Sequence, residues 1–569
     1  MPKVIGIGKQ RYDRIIENNL FYIDKTMFIK EWWENQDDVT LITRPRRFGK
    51  TLNMDMLKCF FSNEYKDRGD LFEGLDIWKE EKYREIQGTY PVIFLSFAKI
   101  KQNTYKDAIA GIKRIICDEI QKYIFLKDWD GLAEEEKTNL KNITYGMDDV
   151  TAQEAIASLS NYLSRYYGKN VIILLDEYDT PMQEAYVNGY WNELTALTRS
   201  LFNFAFKTNP YLERGIMTGI TRVSKESIFS DLNNLVVVTT TSNQYTTAFG
   251  FTEEEVFTAL DEQGMSDEKE KVKAWYDGFT FGDKKDIYNP WSITNFLDEK
   301  KYKLYWADSS SNALVNKLIR TAPGEIKEQM ESLISGESIE TYIDEQIVFE
   351  QLDLDENAIW SLLLASGYLK VKYVKSEDET GETLDFPIYS LRITNREVRS
   401  MFLKMFKGWF NRSLSAYNNF VKSLLNGDIE SMNEYMNRVT RGVISYFDTG
   451  KTPSDEEPER FYHGLVLGLM VDQVDNYILS SNRESGFGRY DIMLEPIDKN
   501  NEKLPGIVIE FKVFNQKKED TLEETVENAL IQIKEKDYDA ELIKRGVKEE
   551  NIYHYGFAFK GKEVLIDGR

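Results

Sequence analysis

Three residues near the end of the chain have the types and spacing to do chemistry. Asp491 closes the run Gly488-Arg489-Tyr490-Asp491 and opens the apolar Ile492-Met493-Leu494. Glu510 and Lys512 are the charged positions in the otherwise apolar run Gly506 to Val513. Both runs read as short strands bounded by turn residues. Residues two apart on a strand share a face, so Glu510 and Lys512 point the same way. If the strands pair, Asp491 comes close to both. Two carboxylates beside a lysine form a site for a hard cation such as Mg²⁺, which takes carboxylate oxygen and keeps its waters. Such a water can serve as the nucleophile of phosphodiester cleavage. The lysine can hold that water or steady the charge growing on the phosphate. An E-x-K pair alone is most often a solvent-facing charge pair; the apolar strand and the preceding Asp491 distinguish this one.

A second constellation lies near the start. Val39 to Thr43 is a strand candidate, followed by Arg44-Pro45-Arg46-Arg47-Phe48-Gly49-Lys50-Thr51 and a helical pattern from Leu52 to Phe61. Strand, Gly-Lys-Thr, helix is the order a phosphate-binding loop needs. Lys50 would reach the β- and γ-phosphates of ATP, Thr51 would ligate Mg²⁺, and main-chain N–H groups at the helix start would cradle the phosphates. The usual loop has a glycine where this chain has Arg44. The buried-strand pattern Val171 to Leu175 ends in Asp176-Glu177. Asp176 would hold Mg²⁺ through water and Glu177 would polarise the attacking water. Acidic residues also end strands to cap the next helix; the pairing with Lys50 favours the nucleotide reading. Tyr211 to Thr218 reads as a further strand, and Thr218, Thr221 or Arg222 could sense the γ-phosphate.

The C-terminal pattern resembles the core of PD-(D/E)XK nucleases. Its Gly488-Arg489-Tyr490-Asp491 is similar to the nuclease-like domain fused to the AAA-ATPase-like family. Gln532, in ALIQIKEKDY, matches the glutamine that follows the core. The helix before the core reads FYHGLVLGLMVD, with His463 near its start and no early carboxylate, so Glu484 is the candidate for the extra metal ligand. Arg44 to Lys50 resembles the loop of the AAA-ATPase-like family, and Tyr22-Ile23-Asp24-Lys25-Thr26 fits it too. So do Trp275 to Gly282 and Ile287 to Leu297, whose aromatics are more often core than cofactor contacts. The resemblance implies ATP and Mg²⁺ as cofactors. Arg44, Arg46, Arg47, Phe48, Gly49, Lys50, Thr51, Asp176 and Arg222 would lie at the nucleotide. Asp491, Glu510, Lys512, Gln532 and Glu177 would be catalytic, with Glu484 an added ligand. By analogy, a role in defence or mobile-element processing follows.

With 569 residues the chain is too long for one core. A hydrophobic content of 42% argues for packed domains over disorder. The net charge of −23 argues against a surface coated for non-specific nucleic-acid binding, although a local basic groove can hide in the sum. Two cysteines give neither a disulfide framework nor a zinc cluster. No apolar run has membrane-span length and the N-terminus lacks a signal-peptide pattern, so a cytoplasmic protein is expected.

The expected fold is α/β and multidomain. Residues 1–250 would form a P-loop ATPase-like parallel sheet, 251–330 a helical lid, and 331–445 a helical, winged-helix-like linker. Residues 446–569 would form the restriction-endonuclease-like domain. The polar 451–459 stretch, with its two prolines, marks the linker. The expected function is ATP binding and hydrolysis with metal-dependent cleavage of nucleic acid, DNA ahead of RNA, with a protein partner or homo-oligomer also open. Two rivals stand: a nucleotide switch whose nuclease fold only binds, and an ATPase that remodels a protein partner.

Overall fold

The computed structural model describes residues 2–220, 229, 232–308, 313–322, 324–344, 358–377, 383–409, 414–447, 473, 476–485, 488–515, 518–560 and 563–568. The chain divides into two compact units. One holds Met1–Val315 and Gly336–Arg399, the other Asn316–Ser335 and Ser400–Arg569.

The first unit is built on β1 (Val39–Thr43), β2 (Val92–Ser96), β3 (Val171–Asp176), β4 (Leu212–Gly219) and β5 (Leu235–Val238). These five strands lie in the order β2-β3-β4-β1-β5, every pair parallel. Parallel strands need crossover connections that bury both faces. Accordingly every residue of β1 and of β3 is buried. Helices Tyr105–Gln121 and Asp149–Tyr167 supply Ile112, Ile116, Ile156 and Leu159 to the core around Leu41, Leu95 and Leu175. Their starts are fixed by side-chain caps: Thr104 accepts from the Asp107 N–H and Asp148 from the Thr151 N–H. The parallel α/β sheet expected from the sequence is present, with β1, β3 and β4 within a residue of their expected bounds; β5 was not expected.

Segment 251–299 contains helices Glu253–Glu262, Lys269–Tyr276 and Pro290–Glu299. It also contains a small antiparallel sheet that periodicity did not reveal: β6 (Phe251–Thr252), β7 (Phe279–Phe281) and β8 (Lys284–Tyr288), in the order β6-β8-β7. Strands this short carry too few alternations to register. Further on, helix Ala358–Ala365 precedes β10 (Leu369–Glu377) and β11 (Thr383–Ile393), which pair with β9 (Ile339–Tyr342) in the order β10-β11-β9. Helix Arg396–Trp409 follows. The division between the units falls within that helix.

The second unit is organised by β12 (Tyr477–Ser485), β13 (Gly488–Pro496), β14 (Gly506–Val513), β15 (Ile552–Lys560) and β16 (Glu563–Gly568), adjacent in chain order. All neighbours are antiparallel except β14 and β15. That parallel pair is joined through helix Leu522–Glu535. Alternation sorts the two faces. Ile492, Leu494, Ile507 and Ile509 pack with Phe420, Leu424, Met432 and Met436 of helices Leu414–Asn426 and Ile429–Phe447. Met493 and Val508 pack on the opposite side with Ile533. Asn433 and Asn437, one turn apart, each exchange two hydrogen bonds with the main chain of edge strand β16, at Ile566 and Val564. A helix thus saturates an edge that would otherwise be open to pairing. No helix among the described residues is long and apolar enough to cross a membrane.

One buried carboxyl ties the first unit together. Glu397 accepts from the Ser292 hydroxyl at 2.8 Å and from the Trp306 N–H at 2.7 Å. Burial pushes its pKa up from 4.5 to about 7, against the pull of those donors. A raised pKa means that the folded state keeps a proton the unfolded chain releases. The contribution is full below the ordinary carboxylate range and is lost as pH rises through about 7. Melting temperature should therefore fall across that window in the wild type and fall less in Glu397→Gln. Parallel melting-versus-pH curves for the two proteins would refute the assignment.

Candidate functional site

Two constellations carry chemistry, one in each unit. In the first, β1 runs into the loop at Arg44, and helix Lys50–Phe61 begins immediately after Gly49. Gly49 has φ +81°, and an added Cβ would meet nothing within 4 Å, so the backbone conformation rather than space demands glycine. The Lys50 ammonium donates to the carbonyls of Arg44 and Pro45, both at 2.9 Å. Burial pulls its pKa down, while Glu177, Asp179 and Asp176 pull it up.

β1 and β3 are not neighbours; β4 lies between them. The consequence is chemical. Asp176, fully buried at the end of β3, accepts from the Thr51 hydroxyl at 2.9 Å on one oxygen and from Thr218 of β4 at 2.7 Å on the other. Ser96, at the end of β2, adds a third hydroxyl at 3.3 Å. Burial raises the Asp176 pKa, partly offset by the Thr218 hydrogen bond. Glu177 follows with φ +52°, a left-handed conformation uncommon for a residue with a Cβ. That conformation turns the chain sharply at the strand end, where the Glu177 carboxylate accepts from the Thr180 hydroxyl.

The three loop arginines part company. Arg44 is fully buried, and its guanidinium donates to the carbonyls of Thr43, Thr239 and Gln244 while lying 4.6 Å from the Phe281 ring centroid. Burial lowers its pKa to about 9. Its side chain is spent on holding the loop to the segment after β5. Arg46 donates to Gln183 at 3.2 Å. Arg47, with φ +64°, stacks over Trp291 at 4.4 Å. Phe48 is buried against Phe279 and Phe281. The indole N–H of Trp306 and the amide of Asn289 both donate to the Arg46 carbonyl. The aromatic segments near 275–306 thus pack against the loop. Lys25 of the YIDKT run is tied to Glu255 and to the Thr247 carbonyl. Thr221 and Arg222 lie outside the described residues, as does His463.

In the second unit, pairing of β13 with β14 aligns Ile492 with Ile509 and so sets Asp491 beside Glu510. One Asp491 oxygen accepts from the Phe511 N–H at 2.7 Å. Glu510 and Lys512 lie on the face covered by helix Leu522–Glu535, which carries Gln532. Gln532 bridges them: its amide donates to Glu510 Oε1, and its carbonyl accepts from the Lys512 ammonium at 2.7 Å. Tyr538 supports it, accepting from the same amide at 3.1 Å. Glu510 is 4% exposed, and its Oε2 is buried without a hydrogen-bond partner. Burial, then the nearby Asp491 charge, push its pKa up from 4.5 to about 8. An orphaned carboxylate oxygen beside a second carboxylate fits a divalent cation. The described residues contain no cluster of three or more carboxylate, histidine or cysteine ligands. The backbone of Glu484 pairs with Arg489, two residues before Asp491.

Sequence reasoning missed Ser96, Gln183 and Tyr538. Ser96 carried a usable signal, a small polar residue closing an apolar strand in PVIFLS. Gln183 and Tyr538 carried none that singles them out from ordinary helix and loop residues.

Comparison with known proteins agrees with this division. Residues 6–229 match the family model described as a predicted AAA-ATPase, AAA-ATPase-like. Residues 457–568 match a model of the PD-(D/E)XK nuclease superfamily. An uncharacterized protein in the vnfD 5′ region of Azotobacter chroococcum mcd 1 is 24% identical over 401 residues, spanning 70% of this chain and 69% of that protein.

Arg44→Met keeps the apolar stem and removes every donor, leaving three carbonyls short of a partner. The expected cost is about 2–4 kcal/mol of stability, read as a lower denaturation midpoint. A midpoint unchanged from wild type would show that Arg44 does not hold the loop.

Proposed function

We propose that a chain pairing an AAA-ATPase-like segment with a PD-(D/E)XK superfamily domain binds and hydrolyses ATP in its first unit and cleaves nucleic acid, DNA ahead of RNA, in its second. The observation that carries the nuclease reading is the buried, unpartnered Glu510 Oε2 beside Asp491 and within the Gln532–Lys512 network. Asp491, Glu510 and the Phe511 carbonyl would hold Mg²⁺. The bound ion would supply Lewis acidity and lower the pKa of a water. The protein's own part is positional. Gln532 spreads the Lys512 ammonium and Glu510 carboxylate into one rigid unit, so Lys512 can meet phosphate charge without reorganising. The Phe511 N–H fixes the Asp491 rotamer beside Glu510.

In the first unit, Lys50 would bind the β- and γ-phosphates, with Thr51 and Asp176 on Mg²⁺ and Glu177 on the attacking water. The donor set fits that role. Thr51 and Asp176 already share a hydrogen bond, and the helix N-terminus, which has no side-chain cap, would add its first-turn N–H groups.

Asp491→Ala should abolish Mg²⁺- or Mn²⁺-dependent cleavage while the protein still melts near the wild-type temperature. Lys512→Ala should slow cleavage by about a hundredfold or more with nucleic-acid affinity largely kept, as for loss of a transition-state contact. Cleavage at full rate in Asp491→Ala would place the activity elsewhere. A wild type that cleaves neither DNA nor RNA in any nucleotide state would leave a binding module.

For the nucleotide, Lys50→Ala should remove most Mg²⁺-ATP binding in calorimetry, whereas Glu177→Gln should bind ATP and hydrolyse it slowly. Unchanged affinity in Lys50→Ala would sink the loop assignment.

A further inference from the structure

The loop sequence offers three arginines, and the geometry gives them three different surroundings. Arg44 is buried on carbonyls and Arg47 lies over Trp291. Arg46 alone is directed toward the end of β3. Its guanidinium donates to Gln183 Oε1 on helix Thr180–Asn188, the helix that follows the Asp176-Glu177-Tyr178-Asp179 turn. It is also near enough to Lys50 for its positive charge to oppose that of the ammonium.

Gln183 is itself held. Its amide donates to Asp179 Oδ2 at 3.2 Å, and the same carboxylate oxygen accepts from the Ile220 N–H at 2.9 Å, just past the end of β4. Asp179 is 1% exposed, so this relay is anchored in the interior. The main chain of Arg46 is pinned as well, through its carbonyl, by Trp306 and Asn289. A cation fixed at both its main chain and its side chain costs little to order when a ligand arrives. Its position matters too. Glu177 and Asp179 close β3 on the side where a terminal phosphate has to sit for Glu177 to reach a water. Arg46, bonded to Gln183 in the first turn of the helix that follows, borders that side.

We propose that Arg46 distinguishes a nucleoside triphosphate from a diphosphate at this site and that Gln183 positions it for that contact. The proposal rests on the nucleotide-binding reading above. Lys50 supplies a charge common to both nucleotides, whereas Arg46 supplies one that only the terminal phosphate meets. Because Gln183 also holds Asp179, and Asp179 holds the Ile220 N–H, an Arg46 drawn onto phosphate loosens a relay that ends at β4. The nucleotide state is thereby read within a single chain.

The test is calorimetry with Mg²⁺-ATP and Mg²⁺-ADP as separate ligands. Arg46→Ala should lose about tenfold or more in ATP affinity while ADP affinity stays within about twofold, as expected for one charge-assisted contact to the terminal phosphate. Gln183→Leu should shift the ATP/ADP ratio in the same direction by less. Gln183→Asn, which keeps both an acceptor for Arg46 and a donor for Asp179 on a shorter stem, should recover part of the ratio that Gln183→Leu loses, and a merely structural glutamine would not be rescued this way. Arg46→Lys keeps the charge and serves if the alanine variant does not fold; it should retain part of the preference. Equal losses for ATP and ADP in Arg46→Ala and Gln183→Leu, or no loss for either, overturn the proposal while leaving the nucleotide site standing. A wild type that binds neither nucleotide overturns both.

Discussion

A carboxylate taken out of water at the end of a strand must be met by donors, by a cation or by a proton, and both units are arranged around that constraint. Leaving a buried charge uncompensated costs several kcal/mol. At Asp176 the protein meets the demand with hydroxyls from three different segments, Thr51, Thr218 and Ser96. At Glu510 it meets only half of the demand. Gln532 serves Oε1, and Oε2 is buried with no partner. The first arrangement satisfies its carboxylate; the second leaves one oxygen without a hydrogen-bond partner, at a cost the surrounding sheet must absorb.

That cost is distributed through the scaffold. β13 and β14 are packed on one side by helices Leu414–Asn426 and Ile429–Phe447, and the edge strand β16 is saturated by Asn433 and Asn437. The sheet cannot slide to relieve crowding of Asp491 and Glu510, because a one-residue slip would turn every core side chain to the wrong face. In the first unit, β4 inserted between β1 and β3 lets Thr218 reach Asp176. Arg44, standing where the usual phosphate-loop pattern has glycine, binds the loop to the segment beyond β5. The departure from the usual pattern is thus a packing device.

Much of this was legible in the sequence because it rests on local periodicity. Val171 to Leu175 is an uninterrupted apolar run and Val39 to Thr43 is broken only by threonines, and such runs become central parallel strands. Lys50, Thr51 and Asp176 stand at strand and helix ends that punctuation residues define. The association of Asp491, Glu510 and Lys512 was legible through strand parity and spacing, and that of Gln532 only through the resemblance to the nuclease superfamily. What sequence could not give is long-range. Nothing local says that Ser96 shares a carboxylate with Thr218, that Gln183 meets Arg46 across 137 positions, or that Asn433 pairs with Ile566. The small β6-β8-β7 sheet escaped because β6 and β7 have only two and three residues and β8 carries three exposed charged residues in place of an apolar run. The packing of residues 414–447 on the β14 sheet depends on which apolar helix face meets which sheet face, and composition does not encode that choice.

The central claim is that the carboxylate pair Asp491 and Glu510 is built for a divalent cation. Thermal unfolding of the full chain with and without Mn²⁺, in the absence of nucleotide and nucleic acid, tests it most directly. A cation bound to the folded state alone raises the unfolding temperature by mass action. The wild type should show a concentration-dependent rise that is lost in Glu510→Gln but kept in Asp176→Asn, which alters the first unit only. A wild-type transition that does not move with Mn²⁺, or one that moves equally in Glu510→Gln, would contradict the account.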